Sequence, residues 1–272
     1  MKKFGSPGDI RVGVIGYGGA FNMGKQHLDS MQKAGMVPAA VAEIAADRLV
    51  VAKTDFPGIE TYGSAEEMLK KSTVDLVSII TPHNTHSQLA IQCLRAGKHV
   101  VVEKPFAITT QECDDMIAEA KKNGLMISTF HNRHWEGAVM EAVRRIEAGE
   151  LGDVFKVEAH MGGYRRPKDA WRNSRKISGG ILYDWGVHLL EYSLQVIKSD
   201  IVEVSGFTRH GFWAEQSPFK NAANEDEGFA VVRFSNGARL TLCISSLDTN
   251  MKKGRLEITG TLGTYIMIDN TK

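Results

Sequence analysis

Asp184 and His188 lie four residues apart in a segment of helical periodicity running from Gly180 to Ile197. That spacing predicts one shared face, where a carboxylate could orient an imidazole or both could bond one ligand hydroxyl. Spacing alone describes an ordinary helix pair equally well. Lys104 follows the apolar run from His99 to Val102 in the tripeptide Glu103-Lys104-Pro105. At the carboxyl edge of a sheet, a lysine can hold a hydroxyl and stabilise an alkoxide as it forms. Taken singly it is equally a solvated lysine.

A second set of residues suits a dinucleotide. The strand-like run Arg11 to Ile15 passes into Gly16-Tyr17-Gly18-Gly19-Ala20-Phe21-Asn22-Met23-Gly24, and a helix follows. Glycines here let the chain turn tightly and let backbone N–H groups reach a pyrophosphate at the positive end of that helix. Gly16, Gly18, Gly19, Phe21 and Asn22 are the candidate contacts. The G-x-G-x-x-G spacing is broken at Phe21, and Gly24 could take the third place after a small insertion; a plain strand-to-helix turn is the alternative. Glu43 ends the second predicted strand and could accept hydrogen bonds from both adenosine ribose hydroxyls, which favours NAD over NADP, with Arg48 nearby partly offsetting the repulsion of a 2′-phosphate. Its alternative is a solvated charge opening the next helix. Thr81, Pro82, His83, Asn84, Thr85 and His86 follow the third buried run, where open α/β sheets place ligands. Thr81, Pro82, Asn84 and His86 are read as cofactor contacts or helix-start residues. Two histidines three apart without a third ligand do not make a metal site, and none is expected.

The elements that must position these groups follow from pattern. Arg11–Ile15, Pro38–Ala42, Val74–Ile80, His99–Val102 and Leu125–Thr129 are short apolar runs typical of buried parallel strands. Amphipathic stretches at 23–34, 45–53, 64–70, 84–96 and 109–122 alternate with them, and Gly97 and Gly124 stop two of these helices. Beyond about residue 130 the pattern becomes one helix, then longer alternating segments, Asp153–His160, Ile201–Thr208, Phe229–Phe234, Arg239–Ser245 and Arg255–Thr259. The expected fold is α/β: a Rossmann domain with a parallel sheet over 1–130, then an α+β substrate-binding and oligomerisation domain with a large, mostly antiparallel open sheet over 131–272. Asn236-Gly237 predicts a type I′ hairpin.

The ordered set of the glycine turn, TPHNTH, AGKHVVVEKPFAITTQE, His131-Asn132-Arg133 and GGILYDWGVH at 179–188 resembles the Gfo/Idh/MocA family of oxidoreductases, named for glucose-fructose oxidoreductase and inositol dehydrogenase, over nearly the whole chain. The resemblance implies catalytic roles for Lys104, Asp184 and His188. It adds Glu103, Lys104, Asn132, Trp171 and Arg172 to the cofactor contacts, and Arg133, His160 and Tyr164 beside Lys104, Asp184 and His188 to the substrate contacts. The implied chemistry is transfer of a hydride between a sugar or polyol hydroxyl and NAD, with NADP second. Trp171 can stack on sugar C–H surfaces, and Arg165 and Arg166 either donate to the ligand or form a solvated loop. The family also implies a homodimer or homotetramer, formed through the open face of the second sheet. Family members usually continue well past the Asp269–Lys272 end. On that basis the second domain is expected to be incomplete, with an exposed sheet edge or apolar surface.

Bulk properties agree with a small-molecule enzyme. The 272 residues carry a net charge of +1, 43% hydrophobic and 24% charged residues, which asks for neither nucleic acid nor a membrane as partner. Lys2 and Lys3 are followed by Gly, Ser, Pro and Asp where a signal core would need apolar residues, and Cys93, Cys113 and Cys243 show no CxxC pattern. Both point to a cytoplasmic protein with reduced core thiols. Two rival readings remain: a glycosidase that oxidises its sugar transiently on a retained NAD, and a non-catalytic NAD-binding module.

Overall fold

The computed structural model describes residues 4–250 and 252–268; the lysines at 2 and 3 and the Asp269–Lys272 end lie outside the described residues. The chain divides into two compact units, Met1–Phe130 and His131–Lys272.

The first unit alternates strand and helix: β1 (Arg11–Ile15), α1 (Met23–Lys33), β2 (Val37–Ala42), α2 (Ala46–Asp55), β3 (Glu60–Tyr62), α3 (Ala65–Lys71), β4 (Leu76–Ile79), α4 (His86–Arg95), β5 (His99–Glu103), α5 (Thr110–Lys122) and β6 (Ile127–Phe130). All five strand pairings are parallel, in the order β3-β2-β1-β4-β5-β6. This is the doubly wound arrangement, with its reversal of direction between β1 and β4. Val12, Val14, Val41, Val77, Ile79, Val100 and Val102 are buried, which explains why these strands read as continuous apolar runs. Local chemistry fixes the helix starts. Thr109 Oγ1 accepts from the Glu112 amide while the Glu112 carboxylate accepts from the Thr109 amide, and Ser64 Oγ accepts from Glu67 N. The short β3 was not anticipated: Glu-Thr-Tyr has no apolar run and is only half-buried.

The second unit comprises α6 (Gly137–Glu147), β7 (Val154–Gly162), α7 (Arg175–Ser178), α8 (Gly186–Val196), β8 (Ile201–Arg209), β9 (Glu227–Phe234), β10 (Arg239–Ser245), β11 (Gly254–Gly260) and β12 (Thr264–Ile268). Its sheet runs β12-β11-β7-β10-β9-β8 and is antiparallel except for the β7–β10 pairing. Leu189, Tyr192 and Val196 of α8 join Val139 and Ala142 of α6 over Val157, Leu240, Leu242 and Ile258. Each large side chain buried in this way contributes about 1.5–3 kcal/mol. On the edge strand β8, Ile201, Val202, Val204 and Phe207 are exposed.

Two expectations are corrected here. The β9–β10 hairpin is not type I′: Gly237 has φ +86, and Asn236 is absent from the positive-φ residues. Phe234 O accepts from Gly237 N while Phe234 N donates to Ala238 O, giving a three-residue loop that needs the left-handed conformation only at Gly237. The segment read as one helix from Gly180 is a 3-10 turn, Ile181–Tyr183, followed by Asp184, Trp185 and then α8. Asp184 therefore precedes the helix that carries His188. All three cysteines are free, but only Cys93 is fully buried; burial raises its thiol pKa to about 12 and that of Cys243 to about 11. Among the described residues no helix is long and apolar enough to cross a membrane.

Candidate active site

In the first unit, the β1–α1 turn and the carboxyl ends of β2, β4 and β5 carry the predicted residues. Gly16 has φ +100, and a Cβ there would sit 2.1 Å from Ile80 O, so the turn closes against the end of β4 only with glycine. A Cβ on Gly24 would meet Gly16 O at 2.7 Å and the Tyr17 ring at 2.8 Å. Gly24 thus does the close helix packing that position 21 was expected to do, and the extra residues form an outward turn on which Phe21 is 58% exposed. Gly18 faces open space. Asn22, left-handed at φ 49, precedes α1 without capping it through its side chain, leaving the positive helix end to an anion.

Glu43 is no solvated helix-start charge. Its Oε2 accepts from Tyr17 N at 2.6 Å and its Oε1 from Ala45 N at 3.1 Å, which sets the carboxylate against the glycine turn. Arg48 reaches the same turn: Nε donates to Tyr17 O and Nη2 to Asn22 Oδ1. A cradle that side chains would fill, an open helix terminus and a neighbouring carboxylate fit the diphosphate and ribose of a nicotinamide dinucleotide.

At the end of β4, Thr85 Oγ1 donates to Pro82 O, so the 2.7 Å contact between the two threonines is a hydrogen bond from Thr81 to Thr85. Asn84 is exposed in the 3-10 turn His83–Thr85. His86, predicted as a cofactor contact, is instead buried, with Nδ1 2.9 Å from Pro105 O and Nε2 2.9 Å from Thr81 O. Both nitrogens are occupied, and the ring ties the Thr81 loop to the Glu103–Pro105 turn. Burial lowers its pKa below 6.5, against the opposing pull of the carbonyls.

Glu103 is corrected in the same sense. Its Oε1 accepts from His27 Nε2 at 3.0 Å and its Oε2 accepts from Lys104 N at 3.0 Å. His27 Nδ1, 2.8 Å from Ser78 Oγ, completes a buried chain from β4 through α1 to β5. The Glu103 carboxylate thus fixes the backbone of Lys104 from within the unit. His27 and Ser78 went unseen in the sequence because His27 lies 76 residues from Glu103 and 51 residues from Ser78.

In the second unit, α8 organises the remaining candidates. His188, in its first turn, is 4% exposed, and its Nδ1 lies 2.9 Å from Nε2 of His131. The 3-10 turn Asn132–Trp135 starts there, with Asn132 exposed. Glu191 of α8 bonds His134 Nδ1, and Gln195 Nε2 donates to His134 O. Arg133 donates to Glu136 Oε2 and stands 4.6 Å from the Trp185 ring centre, as does Arg255 of β11. Trp171, Arg172 and Asp184 gather: the Arg172 guanidinium is 4.4 Å from the Trp171 ring, and its Nε is 3.9 Å from Asp184 Oδ2.

Two further predicted substrate contacts have partners within the unit. His160 is a buried strut, its Nε2 2.9 Å from Asp248 Oδ2. Tyr164 packs on Phe212 and Trp213 and is 55% exposed. Of the two arginines beside it, Arg166 pairs with Asp169. No cluster of three or more potential metal ligands occurs among the described residues. With Nδ1 of His188 engaged by His131, any proton exchange between this ring and a ligand must use Nε2.

Comparison with known proteins places this arrangement. The family model described as "Oxidoreductase family, NAD-binding Rossmann fold" matches residues 10–131, and "GFO/IDH/MocA C-terminal domain" matches residues 139–266. The uncharacterized oxidoreductase YdgJ of Escherichia coli is 34% identical over 68% of this chain and 53% of its own length. The scyllo-inositol 2-dehydrogenase (NADP(+)) IolW of Bacillus subtilis is 31% identical over 69% of this chain and 51% of its own. A solved NAD-binding protein from Listeria innocua superposes with a TM-score of 0.83 at 29% identity, covering 96% of this chain and 73% of that one. The alignments thus span about half the length of these curated relatives. Both units match the family in order, and the chain belongs to the Gfo/Idh/MocA family of oxidoreductases.

Proposed function

We propose that this chain oxidises a hydroxyl of a sugar or polyol with NAD, as a homodimer or homotetramer. The observation that carries the reading is the Lys104 turn. Its backbone is gripped from inside by Glu103 and, through Pro105, by His86, at the carboxyl end of a nucleotide-type sheet. A solvated lysine would need no such support.

Gly16, Gly18 and Gly19 with the start of α1 would hold the diphosphate, and Glu43 the adenosine ribose. Bound there, NAD supplies the hydride acceptor. Lys104 donates a hydrogen bond to the reacting oxygen and stabilises negative charge as it develops. His188 takes the hydroxyl proton at Nε2, while Asp184, steadied by Arg172, bonds a neighbouring hydroxyl. The inositol dehydrogenase among the relatives supports the polyol class.

The test is reduction of NAD and NADP, followed at 340 nm, against inositols, aldoses, sugar acids and nitrophenyl glycosides. NADH formation with a polyol or sugar, lost in Lys104→Ala and His188→Ala, is expected. Nitrophenol release without net NADH would replace the dehydrogenase reading with a glycosidase. Tight NAD binding without turnover of any substrate would make the chain a binding module.

A further inference from the structure

We propose that His131 is the second station of a proton relay. His188 passes the substrate's proton on to it and so never accumulates as a buried cation. This deepens the reading above and rests on it for the identity of the proton donor.

The argument begins with burial. His188 is 4% exposed, and burial disfavours the charged form of an imidazole. Its Nδ1 meets a second imidazole at 2.9 Å. Two neutral imidazoles at that distance share one proton: one ring donates and the other accepts. A carboxylate or carbonyl at Nδ1 would only lock the tautomer, whereas a histidine can also accept the proton, because its unperturbed pKa matches that of the donor. His131 is half-buried and opens the turn whose next residue, Asn132, is exposed, so it stands between the buried ring and water.

Charged groups of the neighbouring elements surround the two rings. On the turn and α6, Arg133 is paired with Glu136 and His134 with Glu191 of α8. Asp184 stands beside Arg172, and Arg255 of β11 lies against Trp185, whose ring centre is 5.4 Å from that of His188. Arg133 and Arg255, each 4.6 Å from the Trp185 ring centre, oppose a further positive charge beside that ring.

The step balances with one proton and no electrons. The substrate O–H breaks as an N–H forms at His188 Nε2. The His188 Nδ1–H breaks as an N–H forms at Nε2 of His131. His188 ends neutral in its other tautomer and His131 ends as an imidazolium, which returns its proton to water.

The resting state must therefore hold His188 as the Nδ1–H tautomer. Long-range 1H–15N spectra of histidine-labelled protein without cofactor read this directly, with His188→Gln and His131→Gln for assignment. The expected result is Nδ1–H on His188 in the wild type, altered in His131→Gln. In turnover, His131→Gln is expected to lower kcat by about tenfold or more with little change in KM, to enlarge the solvent isotope effect, and, as His131→Ala, to be partly restored by free imidazole. An Nε2–H tautomer on wild-type His188 would overturn the relay whatever the activity, as would wild-type kcat and isotope effects in His131→Gln. An Nδ1–H tautomer in a protein that turns over no polyol would support the histidine pair and overturn the dehydrogenase reading instead.

Discussion

Replacing Gly18 and Gly24 separately by alanine should split two properties that a nucleotide cradle normally couples. At Gly24 the new methyl would lie 2.7 Å from Gly16 O and 2.8 Å from a Tyr17 ring carbon. Ordinary contact is about 3.5–4.0 Å, so α1 must retreat by roughly 1 Å. Overpacking of that kind costs about 1–3 kcal/mol, and the better helix propensity of alanine returns about 1 kcal/mol. A net loss of about 0–2 kcal/mol follows, or up to several degrees in Tm at about 2–4 °C per kcal/mol. At Gly18 nothing lies within 4 Å, so stability should stay within about 0.5 kcal/mol of wild type. Both variants should nevertheless bind NAD at least about tenfold more weakly, a loss of about 1.4 kcal/mol. Gly18→Ala puts a methyl where the diphosphate must approach, and Gly24→Ala displaces the helix end that faces it. Thermal unfolding without ligand, paired with calorimetric titration of NAD, reads both quantities. The reasoning fails if Gly18→Ala binds NAD like wild type, or if it melts well below it.

Two further outcomes follow from buried histidines. His27→Leu leaves Glu103 Oε1 and Ser78 Oγ without the ring they now bond, at about 1–3 kcal/mol for each unsatisfied group, and should lower kcat more than it raises KM because Lys104 loses its anchored backbone. Melting curves and steady-state kinetics check this, and equal damage to kcat and KM would contradict it. For His86 the folded pKa is depressed below 6.5, so the folded state resists protonation that the unfolded chain accepts. Its contribution to stability is whole above pH 6.5 and is lost as pH falls through the folded value. His99 is lowered by burial in the same sense and adds to the slope. Urea unfolding between pH 7 and pH 5 should show a steeper loss in wild type than in His86→Gln; parallel slopes would refute the assignment.

The strands of the first unit were legible because burial on both faces writes itself as an uninterrupted apolar run, and Arg11–Ile15 shows this to the residue. β3 lacked that signature, being three half-buried polar and aromatic residues at an edge. The position of Asp184 was misread because Ile181, Leu182 and Tyr183 continue the helical apolar pattern, while the chain forms a separate 3-10 turn there and starts α8 only at Gly186. Within the site, Lys104, Asp184 and His188 were singled out by the family resemblance of the short motifs that carry them, since spacing alone left each an ordinary surface or helix residue. Their supports were not, because the His188–His131 pair spans 57 residues and the Glu103–His27 pair 76, distances over which composition and periodicity carry no signal. Glu103 and His86 were assigned to the ligand because they sit beside residues suited to it. Only the fold shows that their polar atoms turn inward.

The pairing of β7 has a consequence for how the chain acquires its form. β7 is the first strand of its sheet to leave the ribosome, yet it pairs only with β10 and β11, after the whole of α8, β8 and β9 has been made. The first unit, built from successive strand–helix–strand steps, can close as it is synthesised. The second has to wait with the buried face of that strand, Val157 and Ala159, uncovered until the β9–β10 hairpin arrives to receive it. Contacts of such long sequence separation fold slowly and leave intermediates open to aggregation. Pulsed hydrogen exchange during refolding should therefore show β1 and β4 protected before β7, and the opposite order would refute this sequence of events.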